Sequence, residues 1–516
     1  MAGYDVIVVG GGSAGAAVAG RLSAEPSVRV LLLEAGPAWL AVDTPAEFRI
    51  PAWGPAFDAA RFPEHHWMTF LVRQTAAQPD PVPYLRGRGL GGSSVINGQV
   101  ALRPPLQDFE SWPQGWDPGT ALRLFRRLED DLDFGDAPGH GRGGPIAISR
   151  SPQAHWSELD VALLDAAVEL GHPFCEDVHA PDAPATASWA IPHNSAGYRR
   201  VTTNDGYLEP ARRRTNLTIT GGALVDRVLF DADRAVGVRY RAGERTEEVH
   251  GGEVVLAAGA LGSPAILQRS GIGPARWLQP LGIDVRADLP VGAGLQDHPF
   301  LAVLLELDED PLRQDRHTVA TAVSYTSGLP GSAPRDMVIA AGNRVRATEE
   351  WQLPSNLMVW QHESHSRGHL RITGADPDAP LDIDLAMLSD ERDLARMRDG
   401  VRRAAALVAH PAIAKISRSA TIGDAQVQAR TTSTQATVAD LDDAALDAIL
   451  LGQVSNASHA SSTCALGAVV GPDARVLGVR GLRVADLSIA PKTPRANPNL
   501  TAIMIGERVA ELIGGR

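Results

Sequence analysis

Cysteine is nearly absent. The 516 residues contain two, Cys175 and Cys464, far apart in the chain and outside any C-x-x-C pair. Neither a disulfide framework nor a zinc site is indicated, and no metal-ligand set is expected. Long hydrophobic runs are also missing: no stretch of about 18 apolar residues occurs, so no membrane span is expected. A strand that begins at Tyr4 leaves no room for a signal peptide, and a cytoplasmic protein is expected. Positive charge is in deficit. The formal net charge of −13 argues against a nucleic-acid footprint and against docking on anionic membranes. There is no internal repeat and no low-complexity tail. What remains is an ordinary globular composition, 44% hydrophobic and 21% charged, in a chain too long for one compact core. Two or more domains are expected.

The most informative stretch is Tyr4 to Gly15. It reads Y-D-V-I-V-V-G-G-G-S-A-G, and a second apolar run, Val28 to Leu33, follows a helical segment and ends at Glu34. Asp5 to Val9 has the β-branched composition of a buried parallel strand. Gly10, Gly12 and Gly15 then give G-x-G-x-x-G. The first glycine allows the tight strand-to-helix turn, the second lets backbone approach a pyrophosphate, and the third lets the helix pack on the strand. Ser13 and Ala14 open the helix, whose free N–H groups favour an anion. Glu34 lies 19 residues beyond Gly15, where a carboxylate can accept from a ribose diol, and Ala35 follows it. An acid there disfavours a 2′-phosphate.

Residues 35–85 are rich in proline and aromatics with little periodicity, a segment expected to wrap a ligand or cover a site. His65, His66 and Trp67 within it are read as surface or packing side chains. Residues 86–98, R-G-R-G-L-G-G-S-S-V-I-N-G, form a second glycine-rich loop. Trp112 to Asp133 and Glu158 to Leu170 read as helices, and Asn216 to Arg239 as a small β-meander. Gly252 to Ala258 is another buried strand, running into a turn and a short helix at 259–273. Residues 300–372 are strand-rich, with Met358, Trp360 and His362 alternating so as to share a face. Helices are predicted over Glu391 to Ala409 and Asp440 to Leu451. The C-terminal end carries H-A-S-S-T-C-A-L-G at 459–467 and N-P-N-L-T-A-I-M-I-G at 497–506.

Four of these stretches together resemble the glucose–methanol–choline (GMC) family of flavin oxidoreductases. They are the fingerprint at 10–15, Gly87 to Glu110 against G-R-x-L-G-G-S-S-x-I-N, Gly259 to Gly273 against G-A-x-x-S-P-x-I-L-x-x-S-G-I-G, and the C-terminal His with its Asn-Pro. The segment V-G-A-G-L-Q-D-H-P at 291–299 also looks like the family. The resemblance spans nearly the whole chain. It implies an α/β (α+β) fold: a Rossmann-like FAD-binding domain with an inserted substrate domain, built on an antiparallel sheet covered by helices. The FAD domain would comprise residues 1–150, 201–299 and 455–516, and the substrate domain 151–200 and 300–454.

The resemblance also assigns roles. Gly10, Gly12, Ser13, Ala14, Gly15, Glu34 and Ala35 would hold the pyrophosphate and adenosine ribose of FAD. Arg88, Gly91, Gly92, Ser93, Asn97 and Gly98 would lie near the isoalloxazine, and Val225 at the adenine. Ala258, Gly259, Asp486, Pro498, Asn499 and Leu500 would complete the cofactor site. Some relatives attach FAD through a histidine where this chain has Ile96, which implies non-covalent FAD. His459 takes the position of the catalytic base in H-x-x-G-T-x-x-x-G, with Ser462 where glycine is usual. Asn497 takes the second catalytic position. His298 is read as structural, beside a turn at Pro299, and Cys464 as a buried thiol rather than a nucleophile.

The expected reaction is oxidation of an alcohol to an aldehyde or ketone. His459 would take the O–H proton as hydride passes to flavin N5, and O2 or another acceptor would reoxidise the flavin. Alternatives on the same scaffold are a hydroxynitrile-lyase-like reaction with structural FAD, a light-driven decarboxylase, and an electron-carrying flavoprotein. No acidic or aromatic cage for a choline-like cation is evident.

Overall fold

The computed structural model describes residues 3–346, 352–423 and 441–515. The start of the last predicted helix, Asp440, lies outside them; the helix runs Asp443–Gln453.

One layer is the parallel sheet that the first motif demands. Tyr4–Val9 sits at its centre, with Val6 to Val9 buried. It pairs in parallel with Val30–Leu33 on one side and with Arg245–Leu256 on the other. Leu482–Val484 adds to the far edge, again in parallel. Buried on both faces, these strands read as unbroken aliphatic runs rather than alternating ones. The predicted meander divides. Leu217–Thr220 pairs in parallel with Val30–Leu33, while Ala223–Asp231, Arg234–Ala242 and Arg245–Leu256 form the antiparallel ladder. Alternation in L-T-I-T indicates a strand but does not choose its partner.

The helix Ser13–Leu22 follows the fingerprint, its inward face made of small residues. This lets the C-terminal helix Asn499–Gly514 cross it at short range. A Cβ on Gly506 would stand 2.4 Å from the Ala14 carbonyl oxygen. Arg21 Nε donates to Glu507 Oε1 at 2.8 Å across the same contact.

The second layer is an eight-stranded sheet, largely antiparallel. Its order runs Ser417–Gly423, Pro299–Leu307, Asn356–Gln361, Met337–Gly342, Val319–Tyr325, Ala187–Ala190 and Phe174–Cys175, with Ser455–Asn456 paired to the start of Pro299–Leu307. Helix Glu391–Ala409 lies against it, burying Met397, Val401 and Ala404 among Met337, Ile339 and Val359. The predicted helix at 112–133 is shorter, Pro118–Leu128, because Glu129–Asp131 leaves it as a strand.

The strand register is what builds the site. Pro299 opposes Asn456 and Phe300 opposes Ser455. The Ala457 N–H donates to the His298 carbonyl at 3.2 Å. Residues 297–298 and 457–460, far apart in sequence, therefore run side by side.

Candidate active site

A cavity of about 560 Å³ runs from the glycine-rich edge of the parallel layer to His459 and Asn497. Its lining begins at Gly10, Gly12, Ser13 and Ala14, passes Glu34, Ala35 and Val225, and includes Gly92, Ser93, Asn97 and Gly98. It continues along Ala258, Gly259, Asp486, Pro498 and Asn499 and includes His459 and Asn497. Most residues assigned to cofactor binding or catalysis from the sequence are thus walls of one space. Four are not. Gly15, Arg88, Gly91 and Leu500 stand behind the wall.

Each of those four has a local reason to be there. A Cβ at Gly15 would stand 1.9 Å from the Gly10 carbonyl oxygen, so only glycine lets the helix approach the turn. Gly91 donates its N–H to the Gly11 carbonyl at 2.8 Å, joining the two glycine-rich loops. At the same junction Gly92 has φ of 50°, and a Cβ there would meet the Gly12 Cα at 2.7 Å. Arg88 donates to the Ala35 carbonyl at 3.0 Å and stacks over Trp67. Leu500 is core.

At the fingerprint end, Glu34 is buried and fixed. Oε2 accepts the Gly11 N–H at 2.7 Å, and Oε1 accepts Gly36 at 2.8 Å and Gly89 at 3.0 Å. A carboxylate offers about four lone-pair sites, so three filled leave room for one more donor. Asn499 Oδ1 accepts the Ser13 hydroxyl at 2.8 Å, tying the C-terminal helix to the turn. Asp486 accepts from Gly259 N–H at 2.9 Å, from the Ser263 hydroxyl at 2.5 Å and from Ser488 N–H at 2.9 Å. Asn97 Oδ1 accepts from the buried Arg200 at 2.5 Å. A helix N-terminus, a bare glycine backbone and the buried acid Glu34 along one set of walls are the hydrogen-bonding chemistry that a dinucleotide requires. Volume also fits, since small-molecule and cofactor sites run about 300–1,000 Å³.

At the other end, His459 Nε2 stands 3.5 Å from Asn497 Nδ2. Its Nδ1 lies 2.9 Å from Nδ1 of His298, the rings edge to face. His298 thus supports His459 from behind the cavity wall, and Pro299 opens a strand where the sequence reading had a turn. His362 lies 5.1 Å from His298 between ring centres, and Trp360 stacks on His362. Burial, followed by the charges of His298, His362 and Arg86, holds the His459 imidazole well below its ordinary value. Burial brings His298 down to about 4, with the Pro494 and His362 carbonyls opposing it. Both rings are neutral near pH 7, which is the form that accepts a proton.

Sequence reasoning also missed Asp297, Tyr84 and Trp67. Asp297 and Tyr84 are fully buried beside the His459 loop, and Trp67 lines the cavity instead of merely packing. The signal for Asp297 was present, an Asp-His pair ahead of an apolar strand. His65 and His66 do pack: His65 lies against Trp39, and both His66 nitrogens meet backbone carbonyls. Cys464 is buried, and burial pushes its thiol up, so it is no nucleophile.

Comparison with known proteins agrees with this geometry. The N-terminal GMC oxidoreductase family model matches residues 4–300, and the C-terminal one matches residues 364–506. The chain is 36% identical to a 5-(hydroxymethyl)furfural oxidase of Methylovorus sp. (strain MP688), covering 99% of this chain and 98% of the relative. It is 32% identical to an oxygen-dependent choline dehydrogenase of Pseudomonas putida, covering 99% and 94%. Among solved structures, pyridoxine 4-oxidase from Mesorbium loti superposes with a TM-score of 0.86 at 27% identity, over 99% of both chains. Among the described residues no helix is long and apolar enough to cross a membrane. The chain belongs to the GMC oxidoreductases and is an FAD-dependent enzyme that oxidises an alcohol with the help of an electron acceptor.

Proposed function

We propose that the chain oxidises the hydroxymethyl group of a neutral, flat-ringed alcohol, with His459 as general base and Asn497 orienting the hydroxyl. The observation that carries the reading is the His459–Asn497 pair, 3.5 Å apart on the wall of the cavity. An alcohol gives up its C–H as hydride only as its O–H is deprotonated. With Asn497 Nδ2 turned toward His459 Nε2, the imidazole proton sits on Nδ1 and is donated to His298. The Nε2 lone pair accepts this long contact from Asn497 in the free chain, and it takes the substrate proton once the alcohol oxygen stands between the two side chains. Asn497 hydrogen-bonds the same oxygen and fixes its direction. FAD, when bound, supplies the two-electron acceptor. General-base help of this kind contributes about 10²–10⁴-fold in rate.

Ile96 in place of an attachment histidine supports FAD held without a covalent bond. Gly10, Gly12, Ser13 and Glu34 would hold its pyrophosphate and ribose, and Val225 its adenine. The parallel sheet would form the FAD domain and the eight-stranded sheet the substrate domain, close to the boundaries expected from sequence but with Pro299 and Ser455–Asn456 on the substrate side.

The substrate class rests on the charges around the cavity. Its lining acids are Glu34, Asp378 and Asp486, and each already faces donors: backbone N–H groups, Arg241, and the Ser263 hydroxyl. Of these only Asp378 is neutralised by a cation, while Glu34 and Asp486 are fixed by N–H and O–H donors in the part of the cavity that FAD would fill. Aromatic Trp67 and Phe70, 5.5 Å apart, line the cavity, and the Tyr84 N–H donates to the Phe70 carbonyl at 2.9 Å. The 5-(hydroxymethyl)furfural oxidase and pyridoxine 4-oxidase relatives are named for ring-borne alcohols. The test is anaerobic flavin reduction by 5-(hydroxymethyl)furfural, pyridoxine and choline, followed by air. Reduction by one of the ring alcohols, with choline slower, supports the substrate class; choline as the fastest donor overturns it. The rate of recovery in air then separates O2 from another acceptor.

A further inference from the structure

Residues 297–298 and 459–460 bring two histidines to one contact, yet nothing in either segment alone fixes their spacing. The fixing groups are Tyr84 and Asp297. Asp297 Oδ1 accepts the His459 N–H at 2.9 Å and the His298 N–H at 2.7 Å. Its Oδ2 accepts the Tyr84 hydroxyl proton. That same hydroxyl accepts the Ala460 N–H at 2.8 Å and Arg86 Nη2 at 3.2 Å. One carboxylate and one phenol thus take up the backbone N–H of His459, Ala460 and His298 together. Tyr84 stands at the entrance to the second glycine-rich loop, so the pair also ties the histidines to the wall that faces them across the cavity.

We propose that Tyr84 and Asp297 are a positioning pair for the alcohol-oxidation step, holding His459 and His298 in the register that keeps the Nδ1–Nδ1 contact. The proposal rests on His459 being the base. Alternatives for so costly a buried group are weaker. Asp297 lines no cavity wall, so it is not a ligand group, and Tyr84 is fully buried, so its hydroxyl cannot reach solvent. Burial pushes the Asp297 carboxyl up to about 6, against the hydrogen bonds from Tyr84 and His459. An apolar side chain in its place would leave the N–H groups of His459 and His298 and the Tyr84 hydroxyl unpaired. What an apolar contact cannot do is accept three N–H groups in fixed directions.

The pair has a consequence that packing alone does not. A shift of about 1 Å in a catalytic group costs on the order of 100-fold in rate while leaving binding nearly alone. Tyr84→Phe removes the acceptor for Ala460 and leaves Asp297 Oδ2 without its donor. Asp297→Asn presents an N–H where the Tyr84 hydroxyl needs an acceptor. Both variants are expected to keep their FAD and to bind alcohol within about threefold of the parent, while the limiting rate of anaerobic flavin reduction falls about 10- to 100-fold. The double variant should be no slower than the slower single one, because the two residues act as a unit.

The experiment is stopped-flow flavin reduction against alcohol concentration for parent, Tyr84→Phe, Asp297→Asn, the double variant and His459→Ala, with bound FAD measured by absorbance. Slow limiting reduction with unchanged alcohol binding in Tyr84→Phe supports the pair, whether or not Asp297→Asn folds. Limiting rates near the parent's overturn it, as does a fall that merely tracks lost FAD or multiplies in the double variant. His459→Ala separates the two readings. If that variant is slow and Tyr84→Phe is not, the positioning pair fails and the base stands; if His459→Ala is fast, the base assignment fails first.

Discussion

Ser462 shows how a single residue records the demands of the site. It stands where the family usually has glycine, and its φ is 71°, in the left-handed region that a Cβ makes costly. Ser458, on the other side of His459, has φ of 57°. The loop is bent at both flanks to hold His459 between Asp297 and the cavity. The Ser462 hydroxyl gains only a long contact with Ser461, at 3.3 Å. Ser462→Gly is therefore expected to be neutral or to stabilise by up to about 1 kcal/mol, the order of the left-handed penalty. Flavin reduction should change less than twofold on the same variant by that reasoning. Thermal unfolding with bound FAD checks it, and a clear drop in melting temperature would mean that the hydroxyl matters more than the backbone. At this scale the sequence was readable where the chemistry is local. Gly10 to Gly15 declare a strand, a turn and a helix by themselves. His459 and Asn497 were found by resemblance to a motif. His298, Asp297 and Tyr84 were not found, because their partners come from a register between strands more than 150 residues apart in the chain.

Elements are joined here by buried charge as much as by apolar packing. His140 lies where the strand Glu129–Asp131, the loop after it and the strand Ile146–Arg150 meet. Its Nδ1 stands 3.0 Å from Asp131 Oδ2 and 3.3 Å from Glu129 Oε1, and its Nε2 stands 2.9 Å from Asp177 Oδ2. The Glu129, Asp131 and His140 ligand atoms are close enough together for a metal ion. But Arg150 already pairs with Asp131 at 2.8 Å and Arg103 lies 3.8 Å from Glu129, so three carboxylates face three cations and no further positive charge is called for. Burial alone would lower the His140 imidazole; its hydrogen bonds to Asp131, Asp177 and Glu129 outweigh that and raise it to about 10. Because the folded value lies above the ordinary imidazole value of 6.5, the stabilisation is fully present below about pH 6.5. It fades as pH rises toward 10 and is gone above it. His140→Gln is expected to melt below the parent at pH 7, with the gap closing by pH 10 or above. A gap that is constant across that range would show that the proton on His140 is not what stabilises the junction. The same scale explains an error of sequence reading. Leu217–Thr220 was grouped with the meander that follows it, yet it joins the parallel sheet, because period-two alternation marks a strand without marking its neighbour. The irregular run at 35–85 gave no elements to the eye and holds only one-turn helices and the two-residue strands Leu71–Val72 and Val82–Pro83, but its placement against the cavity through Trp67, Thr69 and Phe70 was foreseeable from its length.

Across the whole molecule, the parallel sheet lines the cavity, the antiparallel sheet stands behind its His459 end, and the chain passes between the two several times. The parallel layer supplies a helix N-terminus, bare backbone and an acid. In the antiparallel layer the strand Pro299–Leu307 starts directly after His298, with Trp360 and His362 beside that histidine. The C-terminal segment crosses both, bringing His459 to one side and Asn497 to the entrance of the last helix. The first layer was legible from a fingerprint of short-range chemistry. The second was legible only as a strand-rich region, since its pairing depends on long loops that carry no local code. The central claim is that alcohol oxidation passes its proton through His459. It is tested most directly by anaerobic stopped-flow reduction of the FAD-loaded parent and His459→Ala with the best ring alcohol. The account predicts reduction of the parent and a rate about 10²–10⁴-fold lower in the variant with FAD still bound. Reduction of the variant at the parent's rate would contradict it.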